Sequence, residues 1–271
     1  MTAPPVPILE CRNIRVSAGA KTILDDVSLS LWPGESLMVI GPNGSGKTTL
    51  LYALLGLVPI ASGQVLLAGK PIDNHSRLNI ARYLSYMPQL PERPAGFSAF
   101  EYVLTARYAR RRHWGGYSRE DQEAAEAAIA LTGMESFTHR PLASLSGGEL
   151  QKIMLAAAVA QETPVLLLDE PAAFLDYRHQ VEIMTLVECL RLERNLSVVM
   201  VTHDLNIPFL NNAHLLALKE GRTLFQGTVS DLPEKQNLLE SLYDTAFDLI
   251  PAGSGKWFIR PAFPDIRERM R

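Results

Sequence analysis

A glycine-rich segment at Gly41–Thr48 constrains the fold of this chain more than any other stretch of its sequence. It reads Gly-Pro-Asn-Gly-Ser-Gly-Lys-Thr, follows an apolar run at 36–40 and precedes a helical pattern at 47–57. Such a segment, between a buried strand and a helix, is typical of a phosphate-binding loop. Its glycines let the backbone wrap closely around an anion, and the positive end of the following helix faces the phosphates. The segment therefore predicts an α/β fold that binds a nucleoside triphosphate.

Within this loop, Lys47 is predicted to reach the β- and γ-phosphate oxygens, and Thr48 to place its hydroxyl on Mg²⁺. The predicted nucleotide-binding residues of the loop are Gly41, Pro42, Asn43, Gly44, Ser45, Gly46, Lys47, Thr48 and Thr49. The tail contains a partial copy at 253–256, but Ile250 stands where the first glycine is required. We interpret that copy as a turn.

The remaining apolar runs indicate how the core is built. The runs at 165–168 and 197–201 are each followed by a helical pattern, at 178–194 and 204–211. Strands that alternate with helices predict a mostly parallel sheet flanked by helices, which is the core of a P-loop NTPase.

The beginning and the middle of the chain have different patterns. Residues 8–16 and 23–31 alternate between apolar and polar, which predicts strands with one solvated face. Residues 98–112 and 119–132 look helical. We therefore expect a helical insertion in the α/β core.

Two adjacent carboxylates end the apolar run at 165–168. Asp169 is predicted to hold Mg²⁺, directly or through water. Glu170 is one residue further along, where it can polarise a water for attack on the γ-phosphate. This pair predicts hydrolysis in addition to nucleotide binding.

Charge and composition limit the partners. The formal net charge of −3 argues against attraction of the whole chain to nucleic acid, and we expect no nucleic-acid partner. Cys11 and Cys189 stand alone, as is typical of a reducing compartment. The N-terminus lacks a signal-peptide pattern, and no stretch approaches the ~18 apolar residues of a spanning helix. We therefore expect a soluble, cytoplasmic chain that works at a membrane only through a partner.

The segment Leu145-Ser-Gly-Gly-Glu149 resembles the signature of ABC ATPases, and with it the resemblance covers nearly the whole chain. Ser146 and Glu149 form a capping-box pattern, so a helix is predicted to begin here with Gly147 and Gly148 at its N-terminus. The resemblance implies that Ser146, Gly147 and Gly148 contact the γ-phosphate bound by a second subunit.

Three further residues match family elements in the family's order. Gln89 resembles the glutamine that contacts Mg²⁺ and the lytic water. Asp176 resembles the acid that crosses the dimer interface, and His203 the switch histidine that contacts the γ-phosphate. The resemblance implies catalytic roles for Glu170, His203, Gln89 and Lys47, and Mg²⁺ ligands at Thr48, Gln89 and Asp169.

The resemblance also implies the complete fold and its division. An N-terminal antiparallel β-subdomain and an inserted α-helical subdomain, at about 90–160, would accompany the P-loop NTPase core. Residues 1–230 would form the ATPase domain and 231–271 a small C-terminal appendage. We interpret the arginines in the insertion, Arg107, Arg110, Arg111 and Arg112, as a solvated helix face, with contact to a permease or to lipid headgroups as the alternative.

The partners implied are a second copy of the chain, integral-membrane permease subunits and, indirectly through the permease, a substrate-binding protein. The homodimer would enclose two ATP with Mg²⁺ at the cytoplasmic face of the inner or plasma membrane. Stretches at 97–108, 170–180 and 203–206 look like importers of iron-siderophores, haem and cobalamin.

A soluble ABC ATPase of iron–sulfur cluster assembly is the alternative function. ABC ATPases of DNA repair carry a long coiled coil for which 98–140 is too short, and the translation factors carry two cassettes in one chain. Ala18 stands where the family usually has an aromatic residue that stacks on adenine. The loss of that contact predicts weaker discrimination between ATP and GTP.

Overall fold

Strands and helices alternate through most of the chain, as the apolar runs predict. The computed structural model describes residues 6–89, 94–111, 116–173, 175–210, 213–232, 236–253 and 256–262. The strands are β1 (Leu9–Ala18), β2 (Lys21–Leu31), β3 (Ser36–Ile40), β4 (Ser62–Leu67), β5 (Lys70–Pro71), β6 (Leu84–Met87), β7 (Val165–Asp169), β8 (Ser197–Val201), β9 (His214–Lys219), β10 (Arg222–Thr228), β11 (Phe247–Gly253) and β12 (Lys256–Pro261). The α-helices are α1 (Lys47–Leu54), α2 (Arg77–Tyr83), α3 (Ala99–Thr105), α4 (Arg119–Leu131), α5 (Gly147–Ala160), α6 (Tyr177–Arg194), α7 (Ile207–Leu210) and α8 (Gln236–Tyr243).

Three predicted helices are shorter than their patterns indicated. In the stretch 98–112, α3 ends at Thr105 and a 3₁₀ helix follows over Ala106–Arg110. Helix α1 ends at Leu54 and not at 57, because Gly56 adopts a left-handed conformation (φ 64°) that terminates the helix. Helix α7 begins only at Ile207. The residues before it form side-chain turns instead, since Thr202 and Asp204 each accept a hydrogen bond from the N–H two residues on.

The chain forms two compact units, each made of several segments. Of the described residues, those within 6–10, Ser30–Glu35 and Val65–Met200 belong to the first unit. Those within Cys11–Leu29, Ser36–Gln64 and 201–262 belong to the second. The predicted boundary at residue 230 stays a prediction.

The first unit contains a parallel sheet edge and a helical cluster. Strand β7 lies between β6 and β8, and β6 pairs with β7 in parallel from Leu84↔Val165 to Met87↔Leu168. Helices α3, α4 and α5 pack on one another and form the predicted helical insertion. Each begins with a complete capping box, at Ser98, Ser118 and Ser146.

The interpretation of the arginines as a solvated face is wrong for Arg107. Its side chain is 7% exposed and pairs with Asp121 at 3.1 Å and Glu162 at 2.7 Å. It also donates a 2.7 Å hydrogen bond to the carbonyl of Ala160. This guanidinium therefore joins three elements of the insertion, while Arg112 lies outside the described residues.

The second unit contains β1 and β2, which form a hairpin around the two-residue turn Gly19–Ala20. Strand β1 is flanked by β2 and β4. Strand β3 pairs in parallel with β9, and β9 pairs antiparallel with β10. The C-terminal segment adds α8 and the hairpin β11–β12, in which Leu249 is opposite Ile259.

Within the described residues, no helix is long and apolar enough to cross a membrane.

Candidate active site

The phosphate-binding loop begins where the fully buried strand β3 ends, in the second unit. It leads directly into α1, whose N-cap Gly46 is left-handed (φ 100°) and whose first turn receives no side-chain cap. Uncapped N–H groups at a helix N-terminus form a ready site for an anion. The loop therefore has the geometry expected of a phosphate cradle.

Two glycines of the loop have no room for a side chain. A Cβ on Gly41 (φ 151°) would lie 2.1 Å from the carbonyl oxygen of Leu218 in β9. A Cβ on Gly46 would lie 2.6 Å from Cδ2 of Leu24 and 3.1 Å from the carbonyl oxygen of Ile23. The neighbouring strands leave no space for a Cβ at Gly41 or Gly46, so glycine is required at both positions.

The side chain of Lys47 folds back onto the first two residues of the phosphate-binding loop. Its side chain donates hydrogen bonds to the carbonyl oxygens of Gly41 at 2.8 Å and Pro42 at 3.0 Å. The residue is only 6% exposed. A buried ammonium in this position provides a fixed positive charge at the mouth of the phosphate cradle.

His203 follows β8 in the same unit. The preceding residue, Thr202, donates from its backbone to the carbonyl of Val39 at 3.2 Å, just before the phosphate loop begins. The structure therefore brings His203 to the sheet edge from which the loop emerges. His203 itself is exposed.

The acidic pair lies in the first unit, at the end of β7. Asp169 is 2% exposed, and the hydroxyl of Tyr86 lies 3.5 Å from its Oδ2. Glu170 is partly exposed and adopts a left-handed backbone (φ 50°). For a residue with a Cβ, this conformation costs on the order of 1 kcal/mol, and such strain is concentrated at functional sites.

Gln89 joins this acidic pair through a hydrogen bond of 2.6 Å from its Nε2 to Oε2 of Glu170. The parallel register explains the contact, because Gln89 follows Met87 of β6 by two residues as Glu170 follows Leu168 of β7. The bond orients a carboxylate that has access to solvent.

The signature segment begins α5 in the first unit. The backbone N–H of Ser146 donates to Oε2 of Glu149 at 2.7 Å, and the N–H of Glu149 donates to Oγ of Ser146 at 3.4 Å. The bond from the Ser146 backbone lowers the pKa of Glu149, so this carboxylate stays ionised. A Cβ on Gly147 would meet nothing within 4 Å, so no neighbouring group crowds the first residue of α5.

Asp176 lies close to this helix start. It caps α6 by accepting from the backbone N–H of His179 at 2.9 Å, and its Oδ1 is 2.7 Å from Nδ1 of His179. The bond from the His179 backbone lowers the pKa of Asp176. A Cβ on Gly148 would lie 3.4 Å from Leu175 and 3.6 Å from His179, so the structure brings Asp176 and the signature segment together.

Two polar residues near the site were not predicted from the sequence. Tyr86 lies beside Asp169, and Gln151 is 5% exposed within α5. The amide of Gln151 donates to the carbonyl of Ala173, in the loop that follows Glu170, at 3.0 Å. No sequence signal marks Gln151, because the charged residues Glu149 and Lys152 lie beside it in the same stretch.

Comparison with known proteins gives a consistent result. The model of the family described as "ABC transporter" matches residues 24–173. The iron(3+)-hydroxamate import ATP-binding protein FhuC of Bacillus subtilis is 35% identical over 224 residues, which cover 83% of each chain. The hemin import ATP-binding protein HmuV of Streptomyces coelicolor is 36% identical over 251 residues, 92% of this chain and 88% of that protein.

Two solved structures extend the comparison. A chain of an inward-facing ABC transporter of the metal-chelate type superposes with a TM-score of 0.81 at 25% identity and covers 95% of this chain and 98% of its own. The ATP-binding cassette MJ0796, solved as a dimer bound to ADP and Pi, has a TM-score of 0.74 at 25% identity, with 82% and 98% covered.

Proposed function

This chain belongs to the ABC transporter family and hydrolyses ATP, and from that premise we propose that it pairs with a second copy of itself to drive a permease that imports a metal chelate. The observation that carries the proposal is the presence, in one chain, of a phosphate cradle at Gly41–Thr48 and of a second helix start, at Ser146, whose first residues are glycines. The first can bind ATP, and the second lacks a lysine with which to hold a phosphate alone.

The phosphate loop binds the nucleotide in this proposal. Lys47 neutralises the β- and γ-phosphate oxygens, and backbone N–H groups from Gly44 to Thr49 surround them. The rigid setting of Gly41 against Leu218 supports this role, because a cradle that is formed before binding costs little to order.

Magnesium fits the donors that these residues offer. The hydroxyl of Thr48, the amide oxygen of Gln89 and the carboxylate of Asp169 are oxygen ligands, which Mg²⁺ prefers. The described residues contain no group of three or more His, Cys, Asp or Glu side chains that could hold a metal ion. In this proposal the ion would be bound mainly by nucleotide phosphates and water, with few protein ligands. When bound, it would neutralise charge that develops on the phosphates.

Hydrolysis depends on Glu170. Its carboxylate accepts a proton from the attacking water, while Gln89 fixes the orientation of that carboxylate through the 2.6 Å bond. His203 contacts the γ-phosphate and stabilises it while its bond to ADP breaks. In this proposal Glu170, Gln89 and His203 therefore each have a separate role in hydrolysis.

A second copy completes the site. The start of α5, where Gly147 is exposed and uncrowded, supports contact with the γ-phosphate held by the other subunit. Asp176, next to that helix start, would face the same interface. The dimer of MJ0796 with ADP and Pi supports this arrangement.

Mixing two inactive variants tests whether sites are shared. Lys47→Ala damages a subunit's phosphate loop, and Ser146→Arg damages its signature. In a mixed dimer with shared sites, one of the two sites combines an intact loop with an intact signature. We expect hydrolysis to reappear on mixing, although neither variant is active alone. If mixing restores nothing while each variant still dimerises, every site belongs to a single chain and the dimer proposal fails.

The permease and the cargo are proposed from the relatives. FhuC and HmuV are import proteins for iron(3+)-hydroxamate and hemin, and the structural neighbour belongs to a metal-chelate transporter. We place the chain at the cytoplasmic face of the membrane, bound to the permease, which receives cargo from a substrate-binding protein. The iron–sulfur assembly alternative is not favoured, since FhuC and HmuV are import proteins.

Uptake of labelled cargo tests this assignment. Cells that lack the chain should lose uptake of a ferric siderophore or of haem, and wild-type chain but not Glu170→Gln should restore it. Co-purification of a hydrophobic permease with the tagged chain is expected. Co-purification with a soluble scaffold complex and unchanged uptake would contradict the import function.

A further inference from the structure

The C-terminal hairpin β11–β12 is tied to the loop that carries His203 by one side chain. Oδ1 of Asn206 accepts a 2.7 Å hydrogen bond from the backbone N–H of Ile259, and Nδ2 donates to the carbonyl of Ile259 at 3.2 Å. The amide thus satisfies both backbone groups of one residue in β12, as a neighbouring strand would. The sequence places these residues 53 positions apart.

The loop between β8 and α7 is fixed at both ends. At its start, the backbone N–H of Thr202 donates to Val39 of β3 at 3.2 Å. At its end, the backbone N–H of Asn206 donates to Asp204 at 2.8 Å, while the Asn206 side chain holds Ile259. His203 lies between these anchors, one on the strand that leads to the phosphate loop and the other on the C-terminal hairpin.

The hairpin β11–β12, which binds the Asn206 side chain, is itself packed and hydrogen-bonded. Ile259 is 3% exposed and Phe247 6% exposed, so both strands bury a side chain in the second unit. The N–H of Ala262 donates to the carbonyl of Ala246 at 2.8 Å and closes the open end of the hairpin. Asn206 is therefore attached to a packed element.

Helix α8, which precedes the hairpin, is also packed close to the phosphate loop. The ring of Tyr243 meets Phe247 edge-on, with centroids 5.8 Å apart. The hydroxyl of Tyr243 lies beside the backbone of Gly41, and burial raises the pKa of Tyr243 to about 12. The segment after residue 230 thus touches both the start of the phosphate loop and the loop of His203.

We propose that Asn206 is a positioning residue for ATP hydrolysis, which uses the C-terminal hairpin to hold His203 in its working position. This inference rests on the role proposed above for His203. It assigns a task to a segment whose role the sequence alone left open. Because the contacts of Asn206 are with Ile259, its loss should affect hydrolysis more than nucleotide binding.

Two substitutions of Asn206 and one control test the inference. Asn206→Leu keeps the size of the side chain and removes both bonds, and Asn206→Asp keeps the acceptor but replaces the donor. We expect kcat to fall about tenfold in Asn206→Leu and less in Asn206→Asp, since small misplacements of a catalytic group have effects of this order. The KM for ATP and the affinity for a non-hydrolysable ATP analogue should stay within about twofold.

Arg260→Ala is the matched control, because Arg260 lies next to Ile259 and pairs with Asp248 of the facing strand. It should leave kcat unchanged. A wild-type kcat in both Asn206 variants would overturn the inference, as would a raised KM with unchanged kcat. If Asn206→Leu does not fold, as judged by thermal unfolding, Asn206→Asp decides by the same criteria.

The His203→Ala background separates this inference from the proposed function. In that background, Asn206→Leu should have no further effect on the residual single-turnover rate, because the two residues act as one unit. An equal further loss would mean that Asn206 acts elsewhere and would overturn the inference. Wild-type hydrolysis by His203→Ala itself would instead contradict the role of His203 on which the inference rests.

Discussion

Gln89 and Glu170 are 81 positions apart in the sequence, yet the amide of Gln89 donates a 2.6 Å hydrogen bond to the carboxylate of Glu170. The contact follows from the parallel register of β6 and β7, because Gln89 and Glu170 each lie two positions beyond the last paired residues, Met87 and Leu168. Glu170 holds this position with a left-handed backbone. The pair therefore combines an oriented carboxylate with local strain, as is common where a protein performs chemistry.

Glu170→Gln should abolish hydrolysis and preserve ATP binding. The amide keeps the shape and the bond with Gln89 but cannot accept a proton from water. We expect kcat to fall roughly 10²- to 10⁴-fold, the usual contribution of a general base. The variant should accumulate as an ATP-bound dimer in gel filtration. Glu123→Gln, which changes an exposed carboxylate on α4, is the control and should hydrolyse normally. Near-normal hydrolysis by Glu170→Gln would remove Glu170 from this role.

Gly41→Ala should damage the phosphate loop through its backbone. The new Cβ would lie 2.1 Å from the carbonyl of Leu218, so the loop or β9 must move. We expect a loss of about 1–3 kcal/mol in the free energy of unfolding, as for other overpacked sites. ATP affinity should also fall strongly. Gly116→Ala, where a Cβ meets nothing within 4 Å, should change neither quantity. Equal ATP affinity in both variants would show that the loop tolerates a side chain.

Arg107→Ala should destabilise the helical insertion. It leaves the carboxylate of Asp121 buried without its guanidinium partner, and breaking a buried pair costs about 3–5 kcal/mol. Urea unfolding measures the change. The exposed pair of Arg119 with Glu123 provides the control, since Arg119→Ala should cost less than about 1 kcal/mol. Equal losses in the two variants would contradict a structural role for Arg107.

The same ion pair should contribute to acid sensitivity. Burial raises the pKa of Asp121, but bonds from Ser118 and Arg107 outweigh burial and keep it below its ordinary value. A carboxyl with a lowered pKa stabilises the fold above its unfolded pKa of about 3.9, and this contribution disappears as the pH falls through the folded pKa. As the pH falls below ~4, the free energies of unfolding of wild type and Asp121→Asn should therefore converge. A constant difference down to pH ~2 would mean that Asp121 does not titrate in this way.

Local features of this fold could be predicted from the sequence, and long-range ones could not. The phosphate loop and the capping box at Ser146 depend on neighbouring residues, so their patterns are complete within a few positions. Arg107 appeared to be a surface residue because its partner Glu162 comes 55 positions later. The bonds between Asn206 and Ile259 depend on how the C-terminal hairpin folds back. No short pattern encodes such pairings.

The sequence predicts that Ala18 stands where the family usually has an aromatic residue that stacks on adenine. Ala18 is the last residue of β1 and is exposed, next to the left-handed Gly19. Without an aromatic ring at this position, GTP should compete with ATP better than it does in relatives that have one. Ala18→Tyr should tighten ATP binding by roughly 0.5–1.5 kcal/mol, which corresponds to a two- to tenfold lower Kd. Competition between ATP and GTP for the wild-type chain and this variant provides the measurement. Ala20→Tyr, on the other side of the same turn, is the control for a general effect of an added ring. Strong adenine preference in the wild-type chain would show that another residue already stacks on the base.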